Sequence, residues 1–365
     1  MKLAVSLLHL RPGQVGGAET YVRELLAALP AAAAPDEVWA VMDRDLAAVL
    51  DTPGARRLTV EAPARRVVVE RILEAVTPYR ALGLERALDR LAPDAVLFPQ
   101  QSIFPRRVRA PAVLTVHDVQ HLYHPENIPL AERVFRAGAY GRSLARADRI
   151  IAISEFTRTT LVERGCPAAK VTVIQSGFAP GPRTAPATPV GGAYLYFPAA
   201  TFAHKNHALL FHTYAVLKRL GAVHAKLVLT GLRTKRWPAL QRLARHLGIA
   251  EDVVHLGFVP YAEVRRLYAG AEAVLLPSGY EGFGLPAVEA AALGCKVITS
   301  RLPAFEEVGV PEEDRIDFAE PWQLRQALER PGPTVLRKQP SSWAEVARRT
   351  VTVLREAALS YPAGA

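Results

Sequence analysis

The sequence predicts an α/β protein of two domains, each a doubly wound parallel sheet. Short β-rich runs alternate with helical patterns, and that alternation breaks once and then restarts. A chain of 365 residues is also too long for one ordinary core, so two domains are expected.

In the first half the β-rich runs fall at residues 2–8, 37–42, 95–98, 112–116, 149–153 and 171–174. Helical patterns lie between most of them, at 17–29, 83–91, 129–146 and 155–164. Parallel strands need a crossover to return the chain, and a helix is the usual one. Residues 178–192, dense in Pro, Gly, Thr and Ala, interrupt the pattern and read as a linker. The alternation then resumes with runs at 193–197, 225–229, 252–256, 272–276 and 296–299. Its helical patterns are at 207–220, 238–247, 261–269 and 286–293, and a last helix is expected near 342–358. The chain therefore divides into a domain at 1–178, a linker at 179–192, a domain at 193–340 and a C-terminal helix within 341–365. That last helix is free to pack back on the first domain.

Composition excludes several classes of function. Half of the residues are apolar and 22% are charged, which is globular rather than disordered. The longest uncharged stretch, 184–203, holds Pro186, Pro189, Pro198 and the pair Gly191-Gly192, so no membrane helix is expected there. Met1-Lys2-Leu3 runs straight into a strand without a signal-peptide core. Cys166 and Cys295 are far apart and form neither a disulfide framework nor a zinc site. These features suit a reducing, cytoplasmic setting. The net charge of +10 is spread along the chain, with 23 basic against 19 acidic residues in the first 180 and 22 against 16 after them. A nucleic-acid reader shows a basic stripe with interleaved aromatics, and none is visible. Acidic small molecules and anionic lipid surfaces suit this distribution better.

The strongest motif is Pro277-Ser278-Gly279-Tyr280-Glu281-Gly282-Phe283-Gly284-Leu285-Pro286, continuing to Glu289. It follows a buried strand at the carboxyl edge, where open α/β sheets place ligands. Gly282 and Gly284 let the backbone come close to a ligand, and Pro286 suits the first turn of the next helix. The amides of that turn favour an anionic or oxygen-rich group. Glu281 in the loop and Glu289 about a turn into the helix can each accept hydrogen bonds from sugar hydroxyls. Near the start, Gly16-Gly17 follows the first strand and opens a helix, as a phosphate-cradling turn does. The spacing Gly13-Gly16-Gly17 does not fit the dinucleotide fingerprint, which argues against a dehydrogenase. His117 falls directly after the strand 112–116, with Asp118 beside it as a ring partner, an acceptor contact or an N-cap. His121 and His124 extend a histidine cluster whose spacing fits no common metal-ligand set, so no metal is expected.

The motif with its two glutamates resembles the signature of retaining glycosyltransferases of the GT-B fold, family 4 (glycosyltransferase group 1). Gly16-Gly17-Ala18-Glu19, Thr115-Val116-His117-Asp118, Ile153-Ser154-Glu155-Phe156 and Phe202-Ala203-His204-Lys205-Asn206-His207 extend the likeness along the chain. Leu256-Gly257-Phe258-Val259 and the stretch from Ala291 to Cys295 add to it. The second half and the His-Asp region are similar to bacterial mannosyl- and rhamnosyltransferases of surface-polysaccharide assembly.

The resemblance implies two Rossmann-like domains facing each other across a cleft, with the acceptor side in 1–178 and the nucleotide-sugar donor domain in 193–340. It implies that Glu281 holds donor-sugar hydroxyls, that Glu289 holds the ribose, and that backbone near Gly282, Phe283, Gly284 and Leu285 contacts sugar and phosphate. Lys205, eight residues beyond the strand 193–197, is placed where a cation faces the diphosphate leaving group. Relatives often carry an arginine five or six residues earlier, where this chain has Ala199 and Ala200, which makes Arg233 a candidate second cation. His117 is implied to touch the donor sugar. The donor is a co-substrate, no resident cofactor is implied, and the acceptor is a glycan or lipid-linked saccharide. Arg56, Arg57, Arg65, Arg66, Arg71, Arg106, Arg107 and Arg109 offer a basic face toward anionic lipid at the inner membrane surface. A sugar-nucleotide epimerase of the same fold and a catalytically inactive binding subunit are the alternatives.

Overall fold

A computed structural model of the chain describes residues 1–12, 17–123, 125, 128–179 and 190–361. Two compact units result, Met1–Gly177 together with Ser341–Ala365, and Phe178–Pro340. Ten of the residues expected to link them, 180–189, lie outside the described residues.

The first unit is built on β1 (Lys2–Ser6), β2 (Glu37–Asp43), β3 (Arg56–Val60), β4 (Ala95–Phe98), β5 (Ala112–Val116), β6 (Arg149–Ala152) and β7 (Val171–Val173). They lie in the order β3-β2-β1-β4-β5-β6-β7, and each neighbouring pair runs parallel. The order reverses direction between β1 and β4, which makes their carboxyl ends the switch point of the sheet. Every residue of β4 and β5 is buried, as expected of parallel strands covered on both faces.

Two neighbouring elements of this unit went unforeseen. Strand β3 opens on Arg56-Arg57 and sits at the sheet edge, half exposed, so its sequence lacks the apolar run that marks a buried strand. The helix Ala64–Val76 that follows buries Val67, Glu70, Glu74 and Ala75 and carries no inward apolar stripe to read. The C-terminal helix Trp343–Ser360 starts on Ser342, whose side chain accepts from the Glu345 amide, and packs on the helix Gly17–Ala33.

The second unit contains β8 (Tyr194–Pro198), β9 (Lys226–Thr230), β10 (Val253–His255), β11 (Ala273–Leu276), β12 (Val297–Ser300) and β13 (Arg315–Ile316). Their order is β10-β9-β8-β11-β12-β13, again parallel throughout, with the switch point between β8 and β11. The core is aromatic as well as aliphatic, and its tyrosines are satisfied. Tyr194 Oη donates to the Leu267 carbonyl and Tyr214 Oη to that of Ala225, each at 2.8 Å. Strand β13, only two residues long, was not legible in the sequence.

Candidate functional site

The loops leaving β8 and β11 are tied together at the switch point of the second unit. The Gly279 amide donates to the His204 carbonyl at 2.7 Å, and Asn206 Nδ2 donates to the Pro277 carbonyl at 3.1 Å. Asn206 takes a left-handed conformation (φ +55°) between the turn Ala203–Lys205 and the helix His207–Arg219. Asn tolerates that region better than most residues, and here it turns Lys205 toward the second loop.

Lys205 Nζ lies 2.6 Å from Glu281 Oε1. Ser278 Oγ donates to the same oxygen at 2.7 Å, so both bonds fall on Oε1 and neither on Oε2. Ser300, at the end of β12, donates to the Ser278 carbonyl at 2.5 Å and fixes the loop from the other side. The structure brings Lys205 and Glu281 into contact. Ser278, Ser300 and Asn206 are supporting residues that sequence reasoning did not single out.

Gly284 (φ +88°) caps the helix Leu285–Ala292, and a Cβ there would come within 3.0 Å of the Phe305 ring. Both conformation and space therefore call for glycine. Phe283 is buried, and Gly282 and Leu285 are half-buried on either side.

Glu289 is 7% exposed, and both of its oxygens are held by tyrosines. Tyr261 Oη donates to Oε1 at 2.8 Å and Tyr268 Oη to Oε2 at 3.3 Å. Burial pushes its pKa up to about 7, while the two phenols and the nearby Arg265 pull it down. These tyrosines come from one helix, Tyr261–Gly270, seven residues apart and thus on one face.

Arg233 follows β9, one strand further from the switch point. Its guanidinium donates to the His255 carbonyl at 2.5 Å and sits 5.7 Å from the Trp237 ring centroid. The backbone of Ala199 and Ala200 packs against Gly231, where a Cβ would approach within 2.6 Å. His207, which closes the His-Lys-Asn-His string, is buried against Phe197 at 4.5 Å, and burial lowers its pKa to about 3. It is a neutral core residue, not a ligand contact.

In the first unit, His117 caps the carboxyl end of β5. Its Nε2 lies 2.6 Å from the Pro99 carbonyl, so that nitrogen carries the proton and Nδ1 is the acceptor. Burial lowers its pKa below the ordinary value, which keeps the ring neutral near pH 7. The side-chain oxygen of Gln101 accepts from the His117 amide at 2.7 Å, and its nitrogen donates to the Asp118 carbonyl at 2.8 Å. Asp118 Oδ1 accepts from the Gln120 amide at 3.0 Å, a capping contact for the short turn that follows. Tyr21 meets the His117 ring edge-on at 4.8 Å and is itself backed by Trp343 at 5.5 Å. Gly17 is exposed at the start of its helix, whereas Gly16 lies outside the described residues. His121 stacks edge-on against Tyr140 at 5.2 Å, and His124 lies outside the described residues.

Two doubly wound parallel-sheet units, the second carrying a paired cation and carboxylate at its switch point, define the GT-B class of fold. Residues 15–180 match the family described as Glycosyltransferase Family 4, and residues 183–330 match Glycosyl transferases group 1. The chain belongs to these glycosyltransferases. It is 26% identical over 196 residues to the O-antigen chain mannosyltransferase RfbU of Salmonella typhimurium, covering 53% of each chain. It is 29% identical over 209 residues to O-antigen chain mannosyltransferase B of Escherichia coli, covering 54% of this chain and 55% of that one. The chain thus spans about half the length of these curated relatives. Among solved structures it is similar to HepE of Anabaena, crystallised with UDP and glucose, with a TM-score of 0.61, 99% of both chains covered and 18% identity. That likeness speaks to the fold alone.

Proposed function

We propose that the chain transfers a hexose, mannose- or rhamnose-like, from a nucleoside diphosphate sugar to a hydroxyl of a glycan or lipid-linked saccharide, with retention at the anomeric carbon. The observation that carries this reading is the Lys205–Glu281 pair at the β8–β11 switch point. A fixed cation beside a carboxylate with one uncommitted oxygen suits a diphosphate bonded to a polyhydroxylated ring. The mannosyltransferase names of the two relatives agree with it.

In this reading Lys205 lies against the diphosphate and stabilises the charge that develops as it leaves. Glu281 Oε2 accepts from sugar hydroxyls, and Glu289 accepts from the ribose. The backbone of Gly282, Phe283, Gly284 and Leu285 lines sugar and phosphate, and Arg233 is the second cation for the diphosphate. His117 is assigned to a donor-sugar hydroxyl through Nδ1, Asp118 to the acceptor, and the pair Gly16-Gly17, of which Gly16 lies outside the described residues, to the phosphate. The acceptor oxygen bonds to C1 on the face the diphosphate leaves. The breaking bond's electron pair goes to the β-phosphate oxygen, which takes the acceptor proton. Charge on the diphosphate is assigned to protein cations, and no resident cofactor or divalent metal is part of this reading.

A panel of nucleoside diphosphate sugars in a thermal-shift assay tests it, because a ligand that binds only the folded state raises the melting temperature. One donor is expected to shift it by several degrees, and the product formed from that donor is expected to keep its anomeric configuration by NMR. No shift with any donor would contradict the reading. An inverted product would remove retention, and free sugar released without acceptor would favour an epimerase.

A further inference from the structure

Four arginines line one cavity of the first unit, and three of them have structural partners. The cavity, about 420 Å³ in volume, lies among the helices Ala64–Val76 and Leu130–Arg146 and the loop that leaves β4. Arg142 donates to the carbonyls of Glu74 and Ala75 at 2.6 and 2.7 Å and so caps the last turn of the first helix. Arg106 donates to the carbonyls of Thr77 and Tyr79 just beyond that turn. Arg146 pairs with Asp148 at 3.0 Å and donates to the Val108 carbonyl at 2.7 Å.

Arg71 is the exception. Expected from the sequence to face outward, it is half-buried, with its guanidinium 5.5 Å from the Phe135 ring centroid. Among the described residues no hydrogen bond or ion pair reaches it, and its Nε is buried without a partner. The acids of its own helix are engaged elsewhere. Glu70 pairs with Arg66 at 2.9 Å, and the two oxygens of Glu74 accept from the amides of Ala81 and Arg106, each at 2.8 Å. Burial lowers the Arg71 pKa, Tyr140 opposes that and Arg11 adds to it, so no carboxylate is among the groups that act on it. A cation taken from water without a counter-charge costs the folded state and gains no bond in return. Uncompensated groups of this kind gather where a ligand supplies the partner.

The cavity's charge says which ligand. Its four guanidinium groups face two carboxylates, Glu74 in the lining and Asp148 on Arg146, which leaves two positive charges in excess. A phosphate dianion matches that excess, and the guanidinium fork fits two of its oxygens at once. Phe104, Ile103 and three alanines make much of the remaining wall apolar, the composition of a small-molecule site with a few orienting polar groups.

We propose that this cavity binds a small phosphate ester, with Arg71 on the phosphate oxygens and the organic part against Phe104 and Ile103. The site uses none of the residues assigned to the donor, and it stands whether or not the chain transfers sugar.

Calorimetric titration of the full chain with glucose 6-phosphate, glucose and inorganic phosphate tests the proposal. Lys205→Ala is titrated beside wild type, so that binding at the donor residues is told apart. Glucose 6-phosphate is expected to bind both proteins alike, and glucose about tenfold more weakly or worse, since it lacks the charged group. Arg71→Gln is expected to weaken glucose 6-phosphate binding by about tenfold or more, the loss of hydrogen bonds between charged groups. Ala139→Leu is expected to weaken it as well, by filling the cavity without touching Arg71. Arg71→Gln should melt no lower than wild type, because it removes a buried charge that nothing in the fold pairs with. Wild type that binds no ester, Arg71→Gln that binds it as tightly as wild type, or binding lost in Lys205→Ala would overturn the proposal. A lower melting temperature in Arg71→Gln would overturn it too, by giving the guanidinium a structural task. Inorganic phosphate that binds more tightly than glucose 6-phosphate would assign the cavity to the free anion and overturn the ester.

Discussion

Lys205 and Glu281, 76 residues apart in sequence, form a half-buried ion pair with 2.6 Å between Nζ and Oε1. In the proposed donor complex the two separate their duties, the ammonium to diphosphate and the carboxylate to sugar. The free protein thus holds each group ready by means of the other. Glu281→Ala is expected to abolish transfer while leaving nucleoside diphosphate affinity unchanged or tighter, because Lys205 loses its internal competitor. Calorimetry with the nucleoside diphosphate checks this, and a tenfold loss of affinity in Glu281→Ala would contradict it.

Glu289 gives a pH dependence with a definite sign. Its pKa in the free protein is about 7, above the ordinary carboxylate value, so burial favours the neutral form. Folding stability from this group is complete below the unfolded pKa and is lost as pH rises through about 7. Ribose hydroxyls donate to the ionised form, so nucleotide affinity should rise with pH up to about 7 and then level off. Below that point it should fall by up to about tenfold per pH unit. Titration calorimetry across pH 5–8 measures this, and Glu289→Gln should flatten the profile. A wild-type affinity independent of pH would remove the ribose role.

His117 is held in one tautomer by the Pro99 carbonyl and kept neutral by burial. His117→Ala is expected to lower turnover by about 10²-fold, the loss of one preorganised contact, with nucleoside diphosphate affinity on the second unit unchanged. Because the ring is already neutral near pH 7, turnover should show no step at the ordinary histidine pKa. Equal losses of turnover and of nucleoside diphosphate affinity would argue against a role at the sugar.

How much of this was legible in the sequence depends on where the determinants lie. The placement of Glu281, Glu289 and Gly284 could be read because it is local: a strand end, a loop and a helix start follow one another within a single string. Lys205 could be placed because its strand is a plain apolar run. The partners of these residues were not legible. Tyr261 and Tyr268 share a helix face, but nothing in their spacing points to Glu289, and the Ser300–Ser278 link joins two loops only once β11 and β12 are paired. The helix Ala64–Val76 escaped because its apolar residues are split, Val67 and Ala75 buried beside Glu70 and Glu74 while Val69, Ile72, Leu73 and Val76 face water, which leaves no single apolar stripe to signal a packed helix. Arg71 failed as a surface residue for the same reason, since the helix carries it inward.

Trp343 links the C-terminal helix to His117 through Tyr21. It is 7% exposed, packs on Tyr21 at 5.5 Å, and lies where a side chain at Gly177 would collide with it. Trp343→Ala should destabilise the first unit by about 3–5 kcal/mol through the cavity it leaves. Denaturant unfolding measures this, and a change below about 1 kcal/mol would show that the helix Trp343–Ser360 contributes little to holding the unit together.

In the proposed reaction Lys205 bears the charge of the departing diphosphate without a divalent ion. With the donor identified by thermal shift, turnover is measured for wild type and Lys205→Ala, each with and without EDTA. Turnover is expected to fall about 10²–10³-fold in Lys205→Ala and to stay unchanged on chelation in wild type. Full turnover in Lys205→Ala, or loss of wild-type activity in EDTA with rescue by Mg²⁺ or Mn²⁺, would contradict it.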